Sequence, residues 1–192
     1  PYLSKALILI AMISMLLSGV ESSTTIWDSE KLLAYVEKSI RKGKNGPEMG
    51  YLFLDPNGFI GASDEYVIKE TMRSIYINYG FTPVFAIVNS VEKAYSTKQG
   101  FKTYTNYFKD KLGEIIPKFG KNPLVICLSV QDKQIKIKVK RGSRDIFPKV
   151  YSNLVISTIQ RFFDYKEYSK GSLILMHLLK EKVRCFTTGA RS

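Results

Sequence analysis

The chain has 192 residues, 45% of them hydrophobic and 24% charged, with a formal net charge of +12. That length holds one ordinary domain with a short appendage, not two full domains, and the composition excludes an intrinsically disordered chain. No RNP-like, zinc-finger or helix-turn-helix pattern accompanies the charge, so the expected partners are anionic membrane surfaces or acidic proteins, not nucleic acid.

The N-terminal segment carries one lysine, Lys5, then an uncharged apolar stretch over 6–17, then small and polar residues. This is the anatomy of a signal peptide over 1–22, with cleavage after Ser22 or, alternatively, after Gly19. An uncleaved membrane anchor is the competing reading, although the stretch is shorter than the roughly 20 apolar residues that span a bilayer. Both readings send residue 23 onward across a membrane, to an extracellular, luminal or membrane-anchored location in the secretory pathway. Removing the segment leaves the net charge unchanged, because Lys5 and Glu21 leave together.

Residues 23–50 read as a helix followed by a linker. Trp27, Leu32, Leu33, Val36 and Ile40 approximate one helical face within 25–42, and Gly43-Lys44-Asn45-Gly46-Pro47 ends it. The domain proper is expected over 51–183, opening with a short apolar stretch closed by the turn Asp55-Pro56-Asn57-Gly58. Ser63-Asp64-Glu65 then starts a helix, with a capping side chain and first-turn acids, and Gly80 closes it. Its apolar face is Ile68, Met72, Ile75, Tyr76 and Tyr79.

The stretch FTPVFAIV over 81–88 reads as a core strand with Pro83 near its start or on an edge. A helix is expected over about 103–116, ended by Pro117. An apolar strand over 124–130 follows, then the polar turn Gln131-Asp132-Lys133-Gln134. The next strand alternates Ile135, Ile137 and Val139 with Lys136, Lys138 and Lys140, giving one buried and one cationic face. Pro148 suits the first turn of another helix, whose expected face is Val150, Leu154, Val155, Thr158, Ile159 and Phe162. A last helix over 168–183 presents Leu173, Ile174, His177, Leu178 and Lys182, and 184–192 reads as a tail. Helices on both faces of a small mixed sheet make an α/β fold, a three-layer α/β/α sandwich.

The chemistry is sparse. His177 is the single histidine and reads as a helical residue at the core boundary; one His without a neighbouring His or Cys makes no ordinary zinc site. No nucleophile elbow, phosphate-cradling loop or dinucleotide fingerprint occurs. Cys127 reads as a core hydrophobe and Cys185 lies in the tail, so two free thiols, or an intermolecular bond through Cys185, are expected.

The densest charge feature is Lys133, Lys136, Lys138, Lys140, Arg141 and Arg144. A solvated strand face whose lysines discourage edge-to-edge pairing accounts for it. So does an anion-binding surface of Lys136, Lys138, Lys140, Arg141, Ser143 and Arg144 beside the start of a helix. Five carboxylates, Asp55, Asp64, Glu65, Asp132 and Asp145, flank loops where they could act as metal ligands if they converge, but turn chemistry and helix capping account for all five, and no cofactor is otherwise expected.

The order of the pieces resembles the TPM-domain family, which includes thylakoid acid-phosphatase and photosystem II repair proteins and an animal acetylcholine-receptor auxiliary protein. The resemblance covers roughly 51–182. It rests on Tyr51-Leu-Phe-Leu-Asp55-Pro-Asn-Gly58-Phe-Ile60, on Thr82-Pro-Val84-Phe-Ala-Ile87-Val88, on the hairpin over 124–139, and on Ile146-Phe147-Pro148. It implies an α/β/α sandwich outside the cytosol, and phosphatase activity in some members. Where members carry acids before the apolar strand, at the hairpin and in the following loop, this chain reads Lys121-Asn122, Gln131-Asp132 and Lys140-Arg141-Gly142-Ser143-Arg144-Asp145. These departures favour an exported or membrane-tethered binding module that assists assembly or regulation of a membrane complex, over a divalent-metal-dependent acid phosphatase in which the remaining acids the resemblance implies, Asp55, Asp132 and Asp145, would gather Ca²⁺ or Mg²⁺.

Overall fold

The computed structural model describes residues 26–41, 50–140 and 145–189. In chain order the elements are α1 (Ser29–Arg41), β1 (Leu52–Leu54), α2 (Ala62–Tyr79), β2 (Thr82–Val88), a 3-10 turn (Lys93–Tyr95), α3 (Lys98–Ile115), α4 (Pro117–Lys121), β3 (Pro123–Ser129), β4 (Gln134–Val139), α5 (Lys149–Asp164) and α6 (Tyr168–Thr187). The expected signal segment and the whole of the Gly43–Pro47 linker lie outside the described residues. No described helix is long and apolar enough to cross a membrane.

The four strands form one sheet in the order β1-β2-β3-β4. The first three are parallel, and β4 returns antiparallel to β3. Every residue of β2 and β3 is buried, as continuous apolar strands require when helices cover both faces. Alternation divides their side chains between two cores. Phe85, Ile87, Leu124, Ile126 and Leu128 pack with α2, α5 and α6. Val84, Ala86, Val88, Val125 and Cys127 pack with α1 and α3. The three-layer sandwich with a mixed sheet is therefore the observed fold.

The first helix belongs to this architecture. Trp27, Leu32, Leu33 and Val36 are buried in the second core, and the Trp27 amide donates to the Ser90 carbonyl at 2.9 Å. Asp28 starts the helix by accepting from the Lys31 amide at 2.6 Å. Cys127 and Cys185 are both free. Complete burial pushes the Cys127 thiol up to about 12, so it behaves as a small core hydrophobe.

Several local expectations are corrected. Gly61, not Ser63, is the N-cap residue of α2, with no side-chain cap; its amide donates to the Ser169 hydroxyl at 3.1 Å. Gly80 does close α2, at φ 70, with its amide bonded to the Tyr76 carbonyl. Helix α3 begins at Lys98, not near 103, because the Thr97 hydroxyl accepts from the Gly100 amide at 3.1 Å.

The faces of the last two helices also differ from expectation. Helix α5 buries Val155, Ile159 and Phe163, whereas Val150 and Leu154 are 80% and 61% exposed. Helix α6 buries Gly171, Ser172, Leu175, Met176, Leu179 and Val183, leaves His177 exposed, and continues through the expected tail to Thr187. Gly171 decides that rotation: a Cβ there would lie 2.9 Å from the Phe163 ring.

If α1 is integral to the fold, Leu32→Ala, at a fully buried site, destabilises the protein by about 2–5 kcal/mol in denaturant titration. An unchanged unfolding midpoint would show that α1 contributes nothing.

Candidate functional site

Two ends and one edge of the sheet present polar groups. The parallel strands β1, β2 and β3 all end at the same side, the position at which open α/β sheets bind ligands. Here stand Asp55 and Asn57 after β1, Asn89 and Ser90 after β2, and Asp132 after β3.

Both of these carboxylates order loops, Asp55 its own and Asp132 the junction of two. Asp55 accepts from the Phe59 amide at 3.0 Å and the Ile60 amide at 2.7 Å. Burial raises its carboxyl above the ordinary value, opposed by bonds from the Phe59, Ile60 and Gly58 amides. Asp132 accepts from the Val91 amide at 2.8 Å and from the Ser129 hydroxyl at 2.5 Å, joining the turn after β3 to the loop after β2. Asn57 Oδ1 accepts from the Asn89 amide at 3.1 Å. The loops therefore hold one another by side-chain acceptors placed under backbone donors, the usual work of Asp and Asn in turns. Asn89 Nδ2, by contrast, is buried without a hydrogen-bond partner among the described residues.

Asp145 does not join Asp55 and Asp132. Strand β4 runs antiparallel, with Val139 beside Leu124 near the start of β3. The chain therefore reaches Lys140 at the opposite end of the sheet, where its Nζ donates to the Lys121 carbonyl at 3.1 Å, and Phe147, two residues after Asp145, packs on Phe81 just before β2. The convergence that a cation site of these aspartates requires is not observed, and no group of three or more His, Cys, Asp and Glu suited to a metal occurs among the described residues.

The expected cationic surface divides by partner. Lys133 reaches Asp164 of α5 at 3.5 Å, an exposed pair of little energetic weight. Lys140 holds the end of α4, while Arg141, Ser143 and Arg144 lie outside the described residues. Lys138 sits on β4 opposite Val125, on the same face as Lys136.

Lys136 is the informative member. It is half-buried opposite Cys127, on the α3 side of the sheet. Desolvation lowers its ammonium below the ordinary lysine value, followed by repulsion from Lys98, Lys102 and Lys149. Among the described residues no carboxylate lies within ion-pair distance of Lys98, Lys102 or Lys136. Three uncompensated ammonium groups thus share the side of β4 that faces the first turns of α3. Lys98 and Lys102 are absent from the sequence reading because it starts this helix after them. The Thr97 cap is the signal that would have included them.

A family model, the TPM domain, matches residues 53–181. The chain belongs to the TPM-domain family. The match takes in β1 through most of α6, so the site geometry above belongs to the TPM domain itself. A comparison with curated proteins finds no match. Among solved structures, the N-terminal domain of a protein from P. gingivalis, determined in solution by NMR, is similar to this chain. Its TM-score is 0.65 at 13% identity, covering 85% of this chain and 94% of that one. At that identity the likeness establishes the shared α/β architecture.

The role of Asp55 as a loop tether has two measurable consequences. Asp55→Ala leaves two backbone donors without acceptors, and costs about 1–3 kcal/mol in chemical denaturation. Because the folded state raises this carboxyl above 3.8, the folded protein holds the proton more tightly than the unfolded chain. Its contribution to stability is then greatest in acid and falls as pH rises through the window just above 3.8. The stability of Asp55→Asn relative to the parent should improve as pH rises through that window; worsening would contradict the assignment.

Proposed function

We propose that this TPM domain is a binding module that docks an anionic partner surface through the cationic side of β4 and α3, and thereby assists assembly or regulation of a membrane complex. The observation that carries this reading is the cluster of Lys98, Lys102 and Lys136, which has no carboxylate at ion-pair distance among the described residues and in which burial and mutual repulsion lower the Lys136 ammonium. A structural role would be better served by a carboxylate among them. An incoming anionic surface supplies that missing charge, relieves the repulsion and is steered by the net charge of +12.

The reading includes export or membrane tethering, for which the apolar stretch over 6–17 is the support. It excludes neither lipid nor protein as the anionic surface, and the two give different outcomes below.

Acid phosphatase chemistry, the other reading, calls for Asp55, Asp132 and Asp145 to hold a divalent cation such as Ca²⁺ or Mg²⁺. The residues present do not fit that set. Asp55 and Asp132 are engaged as acceptors for backbone amides, and Asp145 belongs to the far end of the sheet.

The test is a triple reversal, Lys98→Glu, Lys102→Glu and Lys136→Glu. A matched control reverses Lys38, Arg161 and Lys166, so both variants carry the same net charge. Salt-sensitive co-purification with a membrane complex from native membranes should fall at least about a hundredfold in the first variant, taking about 1 kcal/mol per lysine, and persist in the control. Equal loss in both would reduce the effect to net charge. Metal-dependent cleavage of a phosphomonoester that disappears in Asp132→Asn would favour the enzyme instead.

A further inference from the structure

The sheet has two edges, and they are protected differently. Strand β1, at one edge, spans only Leu52–Leu54, and shortness itself protects an edge from pairing. Strand β4, at the other, spans Gln134–Val139 and pairs on one side alone among the described residues. Along its length, half of the backbone N–H and C=O groups turn away from β3. The outer side of β4 is thus a six-residue template with a basic margin: Lys136 and Lys138 on the strand, Lys98 and Lys102 on α3, and Lys149 at the start of α5. Beside Lys149, Val150 is 80% exposed, and Leu154, one turn on, is 61% exposed. They offer apolar surface next to the charge.

We propose that the β4 edge is a strand-addition site for an acidic, extended peptide segment of a partner protein, whose backbone pairs with β4 while its carboxylates meet Lys98, Lys102 and Lys136.

Charge complementarity selects this occupant. A second copy of the chain pairing edge to edge would set lysine rows against lysine rows, and like charges opposite each other destabilise a strand pair. Neutral or basic strands gain no charge contact and face the same repulsive margin, so the lysines that guard the edge against general aggregation also select what is admitted. An anionic bilayer would satisfy the charges but leave the backbone donors and acceptors of β4 unused. An extended acidic peptide satisfies both, with main-chain bonds giving affinity and alternate side chains giving specificity. Its residues facing α3 would be acidic, and those facing α5 apolar, opposite the Ile135 and Ile137 side of the strand.

This inference rests on the anionic-docking reading and adds the mode of pairing to it, so the experiment separates the two. The probe is a short peptide of alternating Glu and Val, titrated into the full chain by fluorescence anisotropy. Three comparisons accompany it: the same peptide with alternate backbone N-methylation, the Lys98→Glu, Lys102→Glu, Lys136→Glu variant, and phosphatidylserine vesicles. Strand addition predicts that N-methylation and charge reversal each weaken peptide binding at least about tenfold. It also predicts that amides of 134–139 gain protection from hydrogen exchange in the peptide complex.

Equal affinity for the methylated and unmethylated peptides overturns strand addition while leaving charge-dependent docking intact. Binding to vesicles with no binding to either peptide overturns it in favour of a lipid surface. Peptide binding that survives the triple reversal overturns both the inference and the docking reading beneath it. A Lys-Val peptide binding as tightly as Glu-Val would do the same.

Discussion

The parallel pairing of β2 with β3 is the constraint on which the rest of the molecule depends. Seven residue pairs run in register from Thr82 with Pro123 to Val88 with Ser129, and every one of these residues is buried. A strand pair buried on both faces demands an apolar layer above and below. Helices α2, α5 and α6 supply one, and α1 and α3 the other. The same burial removes both sheet faces from contact with any partner. Function is confined to the ends of the strands, the exposed sides of the helices and the edges.

These places are not equivalent. At the C-terminal ends of the parallel strands, Asp55 spends its acceptors on amides of its own loop, and Asn57 and Asp132 on amides of the loop after β2, so polar chemistry there has largely become architecture. The β4 edge differs in kind. Lys98, Lys102 and Lys136 gather there with no carboxylate at ion-pair distance among the described residues, and Lys136 does so against desolvation and repulsion from its neighbours. Native surfaces usually intersperse charges of both signs. A one-sign cluster of this kind carries a standing electrostatic cost, which the proposed anionic partner would offset.

Much of the fold was legible in the sequence because its strongest signals are periodic. The apolar run of β3 and the Ile-Lys alternation of β4 can hardly be anything but a buried strand and its half-exposed partner. Gly80 ended its helix because only the left-handed conformation fits there. The misplaced faces of α5 and α6 have a common cause: both helices carry apolar residues around more than half their circumference, so periodicity alone leaves the rotation open. Gly171 against Phe163 sets the rotation of α6, and Val150 and Leu154 are left outside. No local rule encodes either fact. The site was legible in part. The hairpin already implied that Asp132 and Asp145 lie at opposite ends of the sheet, since a strand that turns back must deliver its far end to where its partner began. Lys98 and Lys102, in contrast, come beside Lys136 only through the packing of α3 on β4.

The central claim is that this domain meets its partner at the β4 edge and not at the ends of the parallel strands. Backbone amide chemical-shift mapping during titration with an acidic peptide tests it most directly. The account predicts perturbations concentrated over 134–140 and around Lys98 and Lys102. Perturbations confined to the loops at Asp55 to Ile60, Asn89 to Glu92 and Val130 to Lys133, with β4 unmoved, would contradict it.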